Sequence, residues 1–283
     1  MRSCCLILFT FCAVIIAGGS EGSEVEAEFP FELRDGFIWV TAIARESPAP
    51  LNFILDSGAV ASTMDASSAA RLGLRGGERV TVNGVGSSTA GVWPQHLNAR
   101  IGSVRLPKSY LVVDLGHLQA SCQRSITGLI GADFFQSKIV QIDFTRNRIR
   151  LFRSATSIPG ERIELRKRRG IWQVPLSVNG LTRAWFRLDT GCASALQWVV
   201  TGAAPKTTSS KVTVALTEMS LPTTETRVTL GATNLGNLPT TIHRSEIFAG
   251  ESGLAGVGLL SRFAAVTLDA RADCLILTPV APR

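Results

Sequence analysis

The sequence predicts an all-β protein with two homologous lobes related by a pseudo-twofold axis and a cleft between them. Two observations lead to this prediction. Val, Ile, Leu and Thr dominate the ordered-looking stretches, and Gly is frequent (26 residues), a composition typical of short strands joined by tight turns. The chain also repeats itself, and a repeat indicates two copies of one structural unit.

The first 19 residues differ in character from the rest of the chain. An apolar run from Cys4 to Ala17 follows Arg2, and small residues come after it. The run is shorter than the roughly 20 residues that a membrane span needs, so residues 1–19 are interpreted as a secretory signal peptide. This predicts an exported protein, periplasmic or secreted, without a stable membrane span after signal cleavage. An uncleaved N-terminal anchor is the alternative.

Four stretches of the chain recur in the same order. Residues 31–40 resemble 163–174, 51–59 resemble 183–192, 79–85 resemble 211–217 and 128–152 resemble 255–278. The spacing between the copies is nearly constant, which indicates duplication of a whole unit. We therefore predict an N-terminal lobe at residues 24–156 and a C-terminal lobe at residues 157–283, called the first and second halves below.

The local pattern within the halves indicates strands and hairpins. Residues 138–152 alternate as two strands about a polar turn at 145–147. One segment, 65–74, is predicted to be helical, with Asp65 as its N-cap and Gly73 near its end. The basic run 166–169 aligns with a turn in the first half, so it is interpreted as a solvated hairpin tip.

Charge and cysteine content point to no particular partner. A net charge of +7 permits loose attraction to anionic surfaces, but no nucleic-acid partner is predicted. Outside the signal the chain keeps Cys122, Cys192 and Cys274, which allow at most one disulfide; the sequence does not choose the pair. Neither HExxH nor a CxxC pair occurs, so no metal site and no cofactor are expected.

An acidic triplet, Asp-Ser/Thr-Gly, occurs once in each half. The copies at 56–58 and 189–191 follow apolar residues and occupy matching positions of the repeat. A pseudo-twofold axis near both loops would bring Asp56 and Asp189 together. Two carboxylates that lie side by side share one proton. Such a pair can hold a water, deprotonate it and protonate a leaving amine.

The other residues of the triplets are predicted to support the two loops. Gly58 and Gly191 would let the backbone turn tightly beside each acid. Ser57 and Thr190 can form local hydrogen bonds that fix the loops.

These residues resemble the aspartic proteases, and among them the bacterial retropepsin-like group with two lobes on one chain. The resemblance covers about residues 30–280. It rests on both triplets, on Leu-Ile-Gly at 129–131 and, more weakly, on Gly-Val-Gly at 256–258. It implies pepsin/retropepsin-like β-barrel lobes, with Asp56 and Asp189 as the catalytic acid and base.

The family also has a flap, a hairpin that closes over the substrate. Residues 80–95 lie at the corresponding place and are rich in Gly and Ser. The counterpart in the second half, 212–224, lacks the glycines, so we expect one working flap. The predicted substrate-binding tip consists of Gly84, Val85, Gly86 and Ser87.

The residues that follow the triplets bear on pH dependence. Pepsin-like members usually carry a hydroxyl at this position, where it can hydrogen-bond to the catalytic acid. Here the positions hold Ala59 and Cys192, of which alanine has no donor and a thiol is a weak one. The charged pair is therefore expected to be less stabilised, with optimal activity in mildly acidic to near-neutral solution.

The sequence thus predicts a monomeric aspartic endopeptidase that hydrolyses a peptide or protein substrate by means of an activated water. A catalytically inactive, peptide-binding relative is the first alternative, and the intact triplets in both halves count against it. A homodimer of first lobes, with the second half as an accessory, is the second alternative. The sequence does not determine the cleavage preference or which aspartate is the acid in a given step.

Overall fold

The protein is described from a computed structural model that covers residues 24–84, 87–202, 208–214 and 217–281. The predicted signal peptide lies outside the described residues. The fold is mostly β, with 52% strand and 8% helix, as the composition predicts. None of the helices in the described ranges has the length and apolarity that a membrane crossing requires.

The chain alternates strands with four short helices in its described parts. The strands of the first half are β1 (Val25–Pro30), β2 (Glu32–Arg34), β3 (Phe37–Ala44), β4 (Leu51–Leu55), β5 (Thr63–Asp65), β6 (Glu78–Gly84), β7 (Ser87–His96), β8 (Ala99–Ile101), β9 (Val104–Arg105), β10 (Ser109–Val113), β11 (Gly128–Ile130), β12 (Ile139–Asp143) and β13 (Arg148–Phe152). The strands of the second half are β14 (Glu161–Glu164), β15 (Arg166–Arg168), β16 (Ile171–Val178), β17 (Ala184–Leu188), β18 (Leu196–Val199), β19 (Thr208–Val214), β20 (Thr217–Leu230), β21 (Thr233–His243), β22 (Gly253–Ala255), β23 (Ala265–Asp269) and β24 (Cys274–Thr278). The helices are α1 (Ala66–Arg71), α2 (Gly116–Ser121), α3 (Ala132–Phe135) and α4 (Val257–Leu260).

The strands of the described ranges form three sheets. First-half strands make a ten-stranded sheet in the order β6-β7-β10-β5-β11-β4-β3-β8-β9, with β2 paired to β3. Second-half strands make an eight-stranded sheet in the order β15-β16-β17-β22-β18-β21-β20-β19, in which β16 also pairs with β20. The third sheet has six strands in the order β1-β13-β12-β23-β24-β14 and draws on both halves.

The two halves meet symmetrically in the six-stranded sheet. Strands β12 and β23, which are copies of each other in the repeat, pair antiparallel with Gln141 opposite Thr267. The Nε2 of Gln141 donates to Thr267 Oγ1 at 3.1 Å. Because equivalent residues of the repeat face each other here, the pairing has the form expected beside a local twofold axis. The lobe boundaries at 156 and 157 remain a prediction.

The local elements predicted from the sequence are present. Asp65 caps α1 by accepting the Ser68 N–H at 3.0 Å, and Gly73 ends the helical segment with a φ of 67°. Strands β12 and β13 form a hairpin around the polar turn. The carboxylate of Asp143 accepts the Arg146 N–H in that turn at 2.9 Å.

The core supports the strands that carry the triplets. Trp39 and Trp172, at matching places of the repeat, are 1% and 0% exposed. Each indole N–H is satisfied, because Trp39 donates to the Arg34 carbonyl and Trp172 to the Asp273 carboxylate. A buried aromatic side chain with its polar atom satisfied anchors a strand without an unpaired group.

Candidate active site

The two acids stand at the ends of matching strands. Strand β4 runs parallel to β11 and ends at Asp56, whose N–H donates to the Ile130 carbonyl at 2.8 Å. Strand β17 runs parallel to β22 and ends at Asp189, whose N–H donates to the Ala255 carbonyl at 3.0 Å. A parallel neighbour therefore holds the backbone of each acid at the point where its strand leaves the sheet.

Ser57 and Thr190 join the two loops directly. The N–H of Ser57 donates to Thr190 Oγ1 at 2.9 Å, and the N–H of Thr190 donates to Ser57 Oγ at 3.1 Å. The two hydroxyls donate to the carbonyls of Leu188 and Leu55, both at 2.8 Å. The prediction that these two hydroxyls bond locally is therefore wrong. Their hydrogen bonds run between the two halves and hold one loop against the other.

Each triplet glycine makes room for the acid of the other triplet. A Cβ on Gly58 would lie 2.4 Å from Asp189 Cγ, and a Cβ on Gly191 would lie 2.3 Å from Asp56 Cγ. Neither glycine has a positive φ, so the tight turn expected from the sequence is not the reason for glycine here. The reason is close packing, which brings the two carboxyl groups within hydrogen-bonding reach of each other.

Hydrogen bonding distinguishes the two acids. Asp56 Oδ1 accepts the N–H groups of Gly58 at 2.9 Å and Ala59 at 3.1 Å, whereas Asp189 Oδ1 accepts the N–H of Gly191 at 2.9 Å. Burial raises the pKa of Asp56, and its two backbone donors oppose that rise. Burial and the neighbouring Asp56 charge raise the pKa of Asp189 to about 8. The two acids therefore titrate as a pair, and the additional backbone donor at Asp56 favours its charged form over that of Asp189.

A cavity of about 870 Å³ opens in front of the two acids. Its first-half wall is mostly apolar and includes Phe37, Leu111, Val113, Leu115 and Leu129, with Asp35 and Asn83 among its polar residues. Its second-half wall is more polar and includes Arg187, Ser194, Gln197 and Glu251. The cavity can therefore take an apolar group on one side of the acids and a polar or mixed group on the other.

The predicted flap borders this cavity through the part that the structure describes. Strands β6 and β7 pair as a hairpin, and Gly84 lines the cavity. Ser87 begins β7, whereas Val85 and Gly86 lie outside the described residues. In the second half, β19 and β20 pair at the corresponding place.

Arg187 and Glu251 are site residues that sequence reasoning missed. The Nε and Nη2 of Arg187 each donate to the Glu251 carboxylate at 2.8 Å, and Nη1 donates to the Gly58 carbonyl at 2.8 Å. Both side chains are buried, with 9% and 7% exposed. A charged residue two positions before Asp189, where the first half has Ile54, is the signal that could have revealed Arg187.

The cysteines do not form a second reactive centre. Cys122, Cys192 and Cys274 are all unpaired thiols. Cys192 is buried, and burial raises its pKa to about 12, which leaves it protonated and unreactive at neutral pH. Within the described ranges no group of three or more His, Cys, Asp or Glu side chains could hold a metal ion.

Comparisons with known proteins agree with the resemblance to the aspartic proteases that the sequence indicates. A family model described as "Aspartyl protease" matches residues 43–134, which include Asp56. The solved structure of an aspartic proteinase from Irpex lacteus superposes with a TM-score of 0.57 at 13% sequence identity, covering 90% of this chain and 97% of that chain. No curated protein matches the sequence. The predicted resemblance to the aspartic proteases and the predicted mostly β, pepsin-like fold are thereby confirmed, whereas the two-lobed arrangement stays a prediction.

Proposed function

We propose that this aspartic protease-like protein is an endopeptidase that hydrolyses peptide bonds with a water activated by Asp56 and Asp189. The observation that carries the proposal is the pairing of two carboxyl groups, one from each half, at a cavity large enough for several side chains. A single chain supplies both acids, so no second copy is needed to complete the site. This counts against the alternative of a first-lobe homodimer.

The chemistry follows from the single proton of the pair. A water between the acids loses a proton to the ionised carboxylate as its oxygen attacks the carbonyl carbon of the substrate. The protonated carboxyl gives its proton to the carbonyl oxygen, which forms a gem-diol. As the gem-diol breaks down, one of its hydroxyls returns a proton to the carboxylate that had protonated the carbonyl oxygen. The other carboxyl, which took its proton from the water, protonates the leaving amine. The pair thus ends in its starting protonation state.

The proposed substrate is an extended peptide segment of a protein. The β6–β7 hairpin would offer backbone groups for pairing with an extended strand, and the apolar first-half wall would take an apolar side chain next to the cleaved bond. Export through residues 1–19 is part of the proposal, since the predicted signal peptide would deliver the protein to extracytoplasmic protein substrates.

An inactive peptide-binding relative is disfavoured by the closeness of the two half-buried acids. Holding two carboxyl groups side by side costs free energy, because they cannot both ionise freely. Peptide binding alone gains nothing from this arrangement, whereas proton exchange with a bound water depends on it.

The test is cleavage of a denatured protein mixture by the chain purified from residue 20 onward. We expect internal cleavage that is inhibited by a peptide with a hydroxyl-bearing transition-state isostere at the cleaved position. The Asp114→Asn variant, which changes an exposed acid away from the cavity, serves as control and should keep full activity. Absence of cleavage between pH 3 and pH 8 for a folded protein would contradict the proposal.

A further inference from the structure

We infer that Arg187 is a positioning residue that makes the two acids unequal and assigns the role of base to Asp56 and that of acid to Asp189. The inference deepens the proposed endopeptidase function and depends on it for its kinetic consequences. It stands on the contacts of Arg187 with the opposite loop, on the absence of this charge at the matching position, and on the way Glu251 and Phe248 hold the guanidinium.

The first step is a hydrogen-bonded path from Arg187 to one acid only. Nη1 of Arg187 donates to the Gly58 carbonyl at 2.8 Å. That carbonyl belongs to the same peptide unit as the Ala59 N–H, which donates to Asp56 Oδ1 at 3.1 Å. A charged donor on the carbonyl polarises the peptide unit and strengthens its N–H as a donor. Arg187 therefore favours negative charge on Asp56 through the peptide.

The second step is that the other half has no equivalent group. The repeat places Ile54 at the position that matches Arg187, and Ile54 is fully buried against Phe37, Trp39 and Leu129. Within the described part of the chain, Asp56 accepts two backbone N–H bonds and Asp189 accepts one. The additional backbone donor, which Arg187 polarises through the Gly58 carbonyl, therefore favours ionisation of Asp56.

The third step is that the guanidinium cannot turn away. Glu251 accepts from Nε and Nη2 in a two-point contact, which leaves Nη1 directed at Gly58. The Phe248 ring covers the guanidinium carbon at 3.4 Å. A buried ion pair is a weak source of stability compared with apolar residues of the same size, and the first half uses the apolar residue Ile54. A buried charge at a position where an apolar residue would suffice therefore indicates that Arg187 acts on the neighbouring acids.

The titration of Asp56 and Asp189 depends on all the charged groups around Arg187. Glu251 forms an ion pair with the guanidinium, and the pKa of Asp56 and that of Asp189 both respond to its charge. Asp35 and Arg169 line the same cavity. The Arg187 charge lowers the pKa of both acids against the larger effect of burial. Glu251 has the opposite sign, so its removal and the removal of Arg187 must move the titration of the pair in opposite directions.

The experiment compares two variants for which these opposite shifts are expected. In Arg187→Met with Glu251→Gln, both charges are removed at similar volume. Because Arg187 acts on the two acids more strongly than Glu251 does, the lower titration of the pair should move upward by about one pH unit. In Glu251→Gln alone, the arginine charge loses its partner, and the same titration should move downward. Arg187→Lys keeps the charge but loses the planar guanidinium that makes the two-point contact with Glu251. It should shift the titration less than the double variant does.

Two readouts separate this inference from the proposed function. The first is carboxyl titration of the resting protein by nuclear magnetic resonance with ¹³C-labelled aspartate, assigned with Asp56→Asn and Asp189→Asn. The second is the acidic limb of the kcat/KM profile, which reports the free enzyme. Arg150→Met is the control, since Arg150 pairs with the buried Asp143 in the six-stranded sheet at 3.3 Å; both readouts should match those of the wild type.

Shifts of opposite sign in the two variants, with Asp56 as the carboxyl that ionises first in the wild type, would support the inference even if the wild type cleaved no peptide, in which case the proposed function alone would fail. Ionisation of Asp189 before Asp56 in the wild type would overturn it. An unchanged carboxyl titration in both variants would overturn the inference, whatever happened to thermal stability or turnover. If the double variant did not fold, the sign of the shift in Glu251→Gln would decide: an upward or absent shift would overturn it.

Discussion

Ser57 and Thr190, which lie in different halves of the chain, donate their backbone N–H groups to each other's hydroxyl oxygens at 2.9 and 3.1 Å. Both residues are buried, with 1% and 2% exposed. This reciprocal contact fixes the distance between the loops that carry Asp56 and Asp189. The geometry of the pair therefore depends on two hydroxyls that do not face the cavity.

Loss of one hydroxyl should loosen both loops. Thr190→Val keeps the side-chain shape but leaves the buried Ser57 N–H without its acceptor, so we expect a loss of about 2 kcal/mol in the free energy of unfolding. Denaturant titration measures it. Thr190→Ser, which keeps the hydroxyl, should stay closer to the wild type than Thr190→Val does. Equal stability of the valine variant and the wild type would contradict the clamp.

The triplet glycines should tolerate no side chain. Gly58→Ala places a Cβ against the Asp189 carboxyl and must push that group out of line, so kcat/KM should fall by about 10²-fold or more. Gly202→Ala is the matched control, because nothing lies within 4 Å of its Cβ. Retention of wild-type turnover in Gly58→Ala would show that the Asp189 carboxyl packs less closely against Gly58 than described.

Stability should depend on pH through Asp189. A carboxyl whose pKa is raised to about 8 in the folded protein, against about 4 in the unfolded chain, binds more protons when folded. The free energy of unfolding contributed by this group therefore falls as the pH rises from about 4 to about 8. Thermal unfolding at several pH values should show this loss in the wild type and a smaller one in Asp189→Asn. Parallel curves for the two proteins would argue against a raised pKa at Asp189.

A hydroxyl after the first triplet should shift the pH profile. Ala59→Ser adds a donor that can reach Asp56, which favours its charged form and lowers its pKa, so the acidic limb of the kcat/KM profile should move downward. The shift should be small, because Asp56 already accepts two backbone N–H bonds. Ala59→Cys has a weak donor of similar size and should move the limb less. An upward movement in Ala59→Ser would contradict this account of the site.

The sequence predicted those features that depend on nearby residues or on the repeat. The cap of α1 at Asp65 and the turn before Arg148 follow from local patterns. The closeness of Asp56 and Asp189 follows from the repeat, because equivalent positions meet at a twofold axis.

The features that the sequence did not predict depend on contacts between residues far apart in the chain. The bonds of Ser57 to Thr190 could not be distinguished from local ones, since both hydroxyls have short-range acceptors in many turns. The reason for Gly58 was mistaken because a tight turn and a close neighbour favour the same residue. Glu251 carries no signal of its own, and its role appears only when folding places it beside Arg187.

The most direct test of the central claim is the turnover of Asp56→Asn and Asp189→Asn on one peptide substrate, measured beside their thermal unfolding. Each change removes one carboxyl from the proton-sharing pair at nearly constant volume. We expect both variants to fold and to lose all but a few per cent of wild-type kcat/KM. Substantial turnover by either variant, with an unchanged unfolding transition, would contradict the assignment of Asp56 and Asp189 as the pair that activates water.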